Sequence, residues 1–188
     1  MTAQHLMRGD VAVLVPAAGL GTRLGPGAPK AFRELGGASL LVHAVRRVGG
    51  AACVGCIVVA APVGAAPAVR QTLAAEVPPT VDLLVVQGGE TRQESVSAAL
   101  AAVPADYPII LVHDAARAFA PTWLVERVAD AVRTGHDAVV PVLPVVDTIK
   151  QVDLDGYVAT TPDRDGLRVV QTPQGFRRTV LVLSLIHI

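Results

Sequence analysis

The sequence predicts an α/β protein in which a mostly parallel sheet is covered by helices on both faces. Three observations predict it. Short β-branched runs of strand length alternate with helical patterns along the chain. The strand runs are apolar throughout rather than at every second residue, as expected where both faces of a strand are buried. The 188 residues contain no internal repeat, linker or low-complexity block, and that length suits one domain, taken as residues 1–188. Thirty alanines and 32 valines, against 3% aromatics, make the expected core aliphatic.

Residues 11–15, Val-Ala-Val-Leu-Val, form the first expected strand, followed by a Gly-rich loop over 16–29. Leu40, Leu41, Ala44, Val45 and Val48 then recur at helical spacing behind Ser39, a suitable N-cap. A second strand at 56–61 stops at Pro62, and an Ala-rich helix with Pro67 near its start spans 65–76. Residues 81–86 read as a third strand. Thr91 and Glu94 have capping-box spacing ahead of Val96, Ala99, Leu100 and Val103. Residues 109–112 give a fourth strand, and a helix carrying Leu124, Val125, Val128 and Val132 is stopped by Gly135. A fifth strand is expected at 138–142. The alternation then breaks: residues 145–152 and 156–161 read as a β-hairpin turning at Asp155-Gly156, with one more strand at 168–172.

Charge and composition exclude several function classes. Lys plus Arg and Asp plus Glu balance at 16 each, so no bulk field favours nucleic acid or an anionic membrane. No apolar run is long enough to span a bilayer, and residues 1–10 lack the apolar stretch of a secretory signal, so a cytoplasmic protein is expected. The pair Cys53-Val-Gly-Cys56 supplies only half the ligands of a structural zinc and runs into an apolar strand; buried thiols are expected there.

The chemistry-bearing residues gather at expected strand ends. Ala17, Ala18, Gly19 and Gly21 follow the first strand, where α/β sheets place ligands, and their small size lets backbone N–H groups approach a phosphate. A dinucleotide fingerprint does not fit, because Leu24 stands at the third glycine and Ala60-Ala61-Pro62 offers no ribose-binding acid. No Walker A lysine follows either. What marks the loop is Arg23 followed by Lys30, one of only two lysines in the chain. Two cations on such a loop suit a polyphosphate whose transferred phosphorus gains charge in the transition state; alone, they read first as solvated loop charges. After the fourth strand, His113-Asp114-Ala115-Ala116-Arg117 adds a carboxylate fit for Mg²⁺ and a cation fit for a second phosphate. His113, directly after the strand, reads as a packed residue.

The ordered set Val15-Pro16-Ala17-Ala18-Gly19-x-Gly21-x-Arg23, Pro29-Lys30, Gly88-Gly89-Glu90-x-Arg92-x-x-Ser95 and His113-Asp114-Ala115-Ala116-Arg117 resembles one family. Asp147-Thr148-Ile149-Lys150, Asp163-Arg164-x-Gly166-Leu167 and Gln171-Thr172-Pro173-Gln174 extend the likeness over residues 10 to 180. The family is the 2-C-methyl-D-erythritol 4-phosphate cytidylyltransferases of the non-mevalonate isoprenoid pathway. The resemblance implies a three-layer Rossmann-like nucleotidyltransferase fold with an inserted β-arm, CTP and 2-C-methyl-D-erythritol 4-phosphate as substrates, and Mg²⁺ as cofactor. It implies that Arg23 and Lys30 stabilise the pentacoordinate phosphorus and that Asp114 binds the metal. Ala17, Ala18, Gly19, Gly21, Gly89, Glu90 and Ser95 would form the nucleotide pocket. Arg117, Thr148, Arg164 and Thr172 would contact the acceptor, the arm reaching a second subunit of a homodimer. It also implies a later C-terminal segment carrying a further phosphate-contacting lysine, so weak activity and an exposed apolar tail over 181–188 are expected of this chain.

Overall fold

The computed structural model describes residues 9–19 and 28–186. Gly21 and Arg23 lie outside the described residues. The central sheet has six strands: β1 (Val11–Pro16), β4 (Val54–Ala61), β5 (Asp82–Gln87), β6 (Ile109–Val112), β7 (Ala138–Val139) and β12 (Gln174–Arg177). Two residue pairs, β2 (Glu34–Leu35) and β3 (Ala38–Ser39), form a small hairpin whose turn glycines, Gly36 and Gly37, sit at φ of 60° and 81°. That left-handed pair is the backbone a two-residue hairpin turn requires, and glycine adopts it without a Cβ clash.

The sheet order is β5-β4-β1-β6-β12-β7. Strands β5, β4, β1 and β6 run parallel, and β12 runs antiparallel to both β6 and β7. All eight residues of β4 and the first five of β1 are buried, which accounts for the unbroken apolar runs. Helices α1 (Leu40–Gly49), α2 (Ala66–Leu73) and α4 (Thr122–Arg133) pack on one face, meeting Val11, Val13 and Val15 of β1. Helices α3 (Arg92–Ala102) and α5 (Arg178–Ile186) pack on the other, meeting Ala12 and Leu14. The two β1 sets alternate, as side chains on a pleated strand must, and the result is the three-layer α/β architecture expected.

The caps form as their spacing predicts. Ser39 Oγ accepts from the Val42 N–H at 3.3 Å and starts α1. Thr91 Oγ1 accepts from the Glu94 N–H at 3.1 Å while Glu94 Oε2 accepts from the Thr91 N–H at 3.0 Å, closing the capping box of α3. Neither Cys53 nor Cys56 is in a disulfide, and burial pushes the Cys53 thiol up to about 11, the state of a packed rather than reactive cysteine.

Three expectations need correction, and one strand has no sequence signal. The strand expected at 138–142 ends after Val139, at the sheet edge, because Pro141 has no N–H to continue a ladder. The strand without a signal is β12, the neighbour of β6, which lacks β-branched residues; its Gly175 is required because a Cβ there would stand 2.6 Å from Val128 of α4. The strand expected at 168–172 is β11 (Arg168–Val170), and it pairs with β8 (Val142–Pro144) at the base of the arm rather than with the sheet. The tail forms α5, whose Leu181 is buried and whose Leu185 packs beside it against the α3 face; Val182 and Leu183 remain exposed. The arm itself is present in shorter pieces: β9 (Gln151–Val152) pairs with β10 (Val158–Thr160) around a turn in which Asp153 Oδ1 accepts from the N–H groups of Asp155 and Tyr157. Lys150 Nζ donates across it to Thr161. No helix among the described residues is long and apolar enough to cross a membrane.

Candidate active site

Ligands of open α/β sheets bind at the carboxyl ends of the strands, where successive connections leave in opposite directions. Here that point lies between β1 and β6: the chain proceeds from β1 to β4 and β5 on one side, then returns to β6 on the other. A cleft opens there, lined by Pro16, Gly19, Thr91, Arg92, Ser95 and Asp114. Each lining residue is positioned by the end of one element. Pro16 and Gly19 follow β1, Thr91 to Ser95 open α3, and Asp114 follows β6.

Gly88 is wedged between Ala18, after β1, and the start of α3. A Cβ on Gly88 would stand 2.6 Å from Ala18 Cβ and 2.8 Å from Ser95 Oγ, so only glycine lets these pieces meet. Ser95 is buried, accepts from the Gly89 N–H at 3.2 Å and donates to the Thr91 carbonyl at 3.0 Å. Backbone bonds from Ala17 N–H to Ala60 and from Gly88 N–H to Ala61 hold both loops against the end of β4. The polar groups left over are those of a small, backbone-lined pocket, with Glu90 exposed at its rim.

Asp114 is the charged centre. Its Oδ1 accepts from Arg92 Nη2 at 2.9 Å and Nε at 3.2 Å, and Arg117 Nε stands 3.9 Å from Oδ2. Sequence reasoning quoted Arg92 only as part of a motif and assigned it no role. Its signal was position: the first residue of α3, one turn from Ser95 and facing the end of β6. Arg117 is also engaged below the site, donating to the Gln171 side chain at 2.6 Å and the Val170 carbonyl at 3.0 Å, which ties the base of the arm to the loop after β6.

Thr172 is buried, and its Oγ1 accepts from the Asp114 N–H at 3.3 Å. The same oxygen lies 3.1 Å from Nδ1 of His113, a fully buried side chain. Burial pushes the His113 imidazole down to about 4, against the opposing pull of Asp114, so the ring is neutral near pH 7. Its burial agrees with the packing role expected of it; the link to Thr172 was not foreseen. Lys30 opens a 3-10 turn, Lys30–Phe32, and is half-buried, outside the cleft lining given above. Thr148 and Arg164 lie exposed on the arm, where Arg164 Nη1 donates to the Val146 carbonyl at 2.9 Å. The structure therefore brings Gly19, Ser95, Asp114, Arg117 and Thr172 together, with Ala17, Ala18, Gly89 and Glu90 beside them, and leaves Thr148 and Arg164 on the arm.

The sequence model of the family described as 2-C-methyl-D-erythritol 4-phosphate cytidylyltransferase matches residues 11–187, nearly the whole chain. The chain belongs to this family. It is 52% identical over 178 residues to the cytidylyltransferase of that name from Streptomyces coelicolor and 54% identical over 171 residues to that from Frankia casuarinae. Each match covers 91% of this chain, which spans 66% and 62% of those two relatives. The crystal structure of the Thermus thermophilus family member superposes with a TM-score of 0.73 at 37% identity, over 94% of this chain and 75% of that one. The family match extends through the residues of α5.

Proposed function

We propose that the chain transfers a cytidylyl group from CTP to 2-C-methyl-D-erythritol 4-phosphate, giving 4-diphosphocytidyl-2-C-methyl-D-erythritol and pyrophosphate, in non-mevalonate isoprenoid biosynthesis in the cytoplasm. The observation that carries this reading is the meeting of the Gly-rich loop, the Gly88–Ser95 turn and the Asp114 carboxylate in one cleft, in a chain of this family.

In this reading a phosphate oxygen of the acceptor attacks the α-phosphorus of CTP; the new P–O bond forms as the bond to the β-phosphate breaks, and pyrophosphate leaves in line. Backbone groups at Ala17, Ala18 and Gly89, with Glu90 and Ser95, hold the nucleoside, and Gly19 and Gly21 let the loop approach the phosphates. Lys30 and Arg23 offset the charge that builds on the α-phosphoryl oxygens. Arg117, Thr148, Arg164 and Thr172 orient the acceptor.

The residues at Asp114 fit Mg²⁺. Among the described residues no group of three or more His, Cys, Asp and Glu side chains could hold a metal, so a dedicated cage is absent there. Mg²⁺ suits a different arrangement, one or two carboxylates plus substrate phosphates and water, and the partly exposed Asp114 carboxylate already attracts the Arg92 cation. Asp114 would hold the ion together with the nucleotide, and the ion would supply charge neutralisation across the phosphate oxygens.

Two outcomes follow. Ser95 and Gly89 hydrogen-bond each other beside the pocket, so CTP turns over faster than ATP by at least about 10², and up to about 10⁴ to 10⁵ where the site hydrogen-bonds one base edge. Pyrophosphate release with CTP, UTP and ATP in turn measures it; equal rates with CTP and ATP sink the assignment. The arm also makes the protein a homodimer. Val152 and Val158 are exposed on strands of two or three residues, with Leu154 and Tyr157 exposed in the turn between them and Val146 exposed ahead of them, and so short a hairpin is marginal in water without a partner. Light scattering at micromolar concentration reads the mass, and a fully active monomer contradicts this.

A further inference from the structure

The paired residues of β6 and β12 end at Val112 and Gln174. Beyond them the Thr172 hydroxyl joins the two segments, accepting from the Asp114 N–H at 3.3 Å. Behind it stands His113, 0% exposed, with Nδ1 3.1 Å from the same oxygen. His113 Nε2 meets no partner at full hydrogen-bond geometry among the described residues, and the ring also lies beside the Arg117 backbone.

A threonine hydroxyl has one hydrogen and two lone pairs. With the Asp114 N–H and His113 Nδ1 both on it, at most one of its three positions is open to a ligand, and the residue is only 4% exposed. That is the setting of a side chain spent inside the protein.

We propose that His113 is a positioning residue: through the Thr172 hydroxyl it fixes the backbone of Asp114, and so sets how tightly the metal-bound nucleotide is held. The proposal rests on the nucleotidyl-transfer reading above, and it moves the main effect of Thr172 from the acceptor to the nucleotide. A direct acceptor contact raises KM for the phosphate acceptor when lost. A brace behind Asp114 weakens the binding of nucleotide and metal with no acceptor present.

The test measures binding of CTP to the full chain in the presence of Mn²⁺, without acceptor, by equilibrium dialysis of the radiolabelled nucleotide. Thr172→Val removes the hydroxyl at nearly constant shape, and His113→Phe removes Nδ1 but keeps a ring. Each weakens binding about five- to tenfold, the scale of one lost hydrogen bond. Thr172→Ser and His113→Asn, which restore a polar atom, bind within about twofold of wild type. The double variant Thr172→Val/His113→Phe is no weaker than the weaker single one, because both break the same chain. Where a variant is poorly folded by circular dichroism, hydrogen exchange at the Asp114 amide in Thr172→Ser and wild type, slow in both, against fast exchange in Thr172→Ala, reads the same bond.

Wild-type affinity in Thr172→Val or His113→Phe overturns the proposal and leaves the nucleotidyl-transfer reading standing. So does a raised acceptor KM with unchanged binding of CTP and Mn²⁺, or a double variant whose losses add. Failure of the wild-type protein to bind CTP with Mn²⁺ overturns that reading and the proposal together.

Discussion

Replacing Lys30 by alanine lowers kcat by about 10² to 10⁴-fold while changing KM for CTP far less, and Arg23→Ala does the same. The expectation follows from where charge grows. CTP carries its negative charge before reaction, and any surface cation attracts it then. The α-phosphorus in transit spreads new charge over its equatorial oxygens, and only a fixed cation close to them acts selectively on that state. Lys30 is suited to it because it sits on a held turn: Phe32 N–H bonds back to the Pro29 carbonyl at 2.8 Å, and the buried Ala31 packs the turn against α1. Solvated loop charges would instead change rates only a few-fold, mostly through KM. Steady-state kinetics of either variant separates the two.

Asp114→Asn removes at least about 10²-fold of the Mg²⁺-dependent rate, because a neutral amide is a poor ligand for a hard cation. The substitution leaves the backbone bond to Thr172 in place, and what it breaks in the free protein is a pair of half-exposed ion pairs, with Arg92 and, at 3.9 Å, with Arg117. Exposed pairs contribute about 1 kcal/mol or less, so the fold survives. Rate against Mg²⁺ concentration, with a thermal melt of both proteins, is the measurement. An Asp114→Asn protein with wild-type Mg²⁺ dependence would mean that the residue serves only to pair with Arg92 and Arg117.

The layers of the fold were legible because they depend on local pattern. Unbroken apolar runs gave β1, β4, β5 and β6, and the Ser39 and Thr91 caps gave the starts of α1 and α3. What was not legible depends on tertiary contact. Residues 174–177 form a strand because α4 crosses them closely enough to require Gly175, and nothing in Gln-Gly-Phe-Arg announces that. The candidate site divides in the same way. Gly19, Ser95 and Asp114 stand at strand ends or a capped helix start and could be placed from sequence. Arg92 on Asp114, and His113 behind Thr172, join segments that only the folded sheet brings together.

The central claim is that this cleft joins a cytidylyl group to a sugar phosphate. Phosphorus NMR tests it most directly, with the chain in excess over CTP, 2-C-methyl-D-erythritol 4-phosphate and Mg²⁺ present, and the resonances followed to completion. The CTP and acceptor signals are expected to fall together, with pyrophosphate and a new diphosphate diester appearing in equal amounts. CTP consumed while the acceptor monophosphate stays intact, or a mixture that does not change, would contradict it.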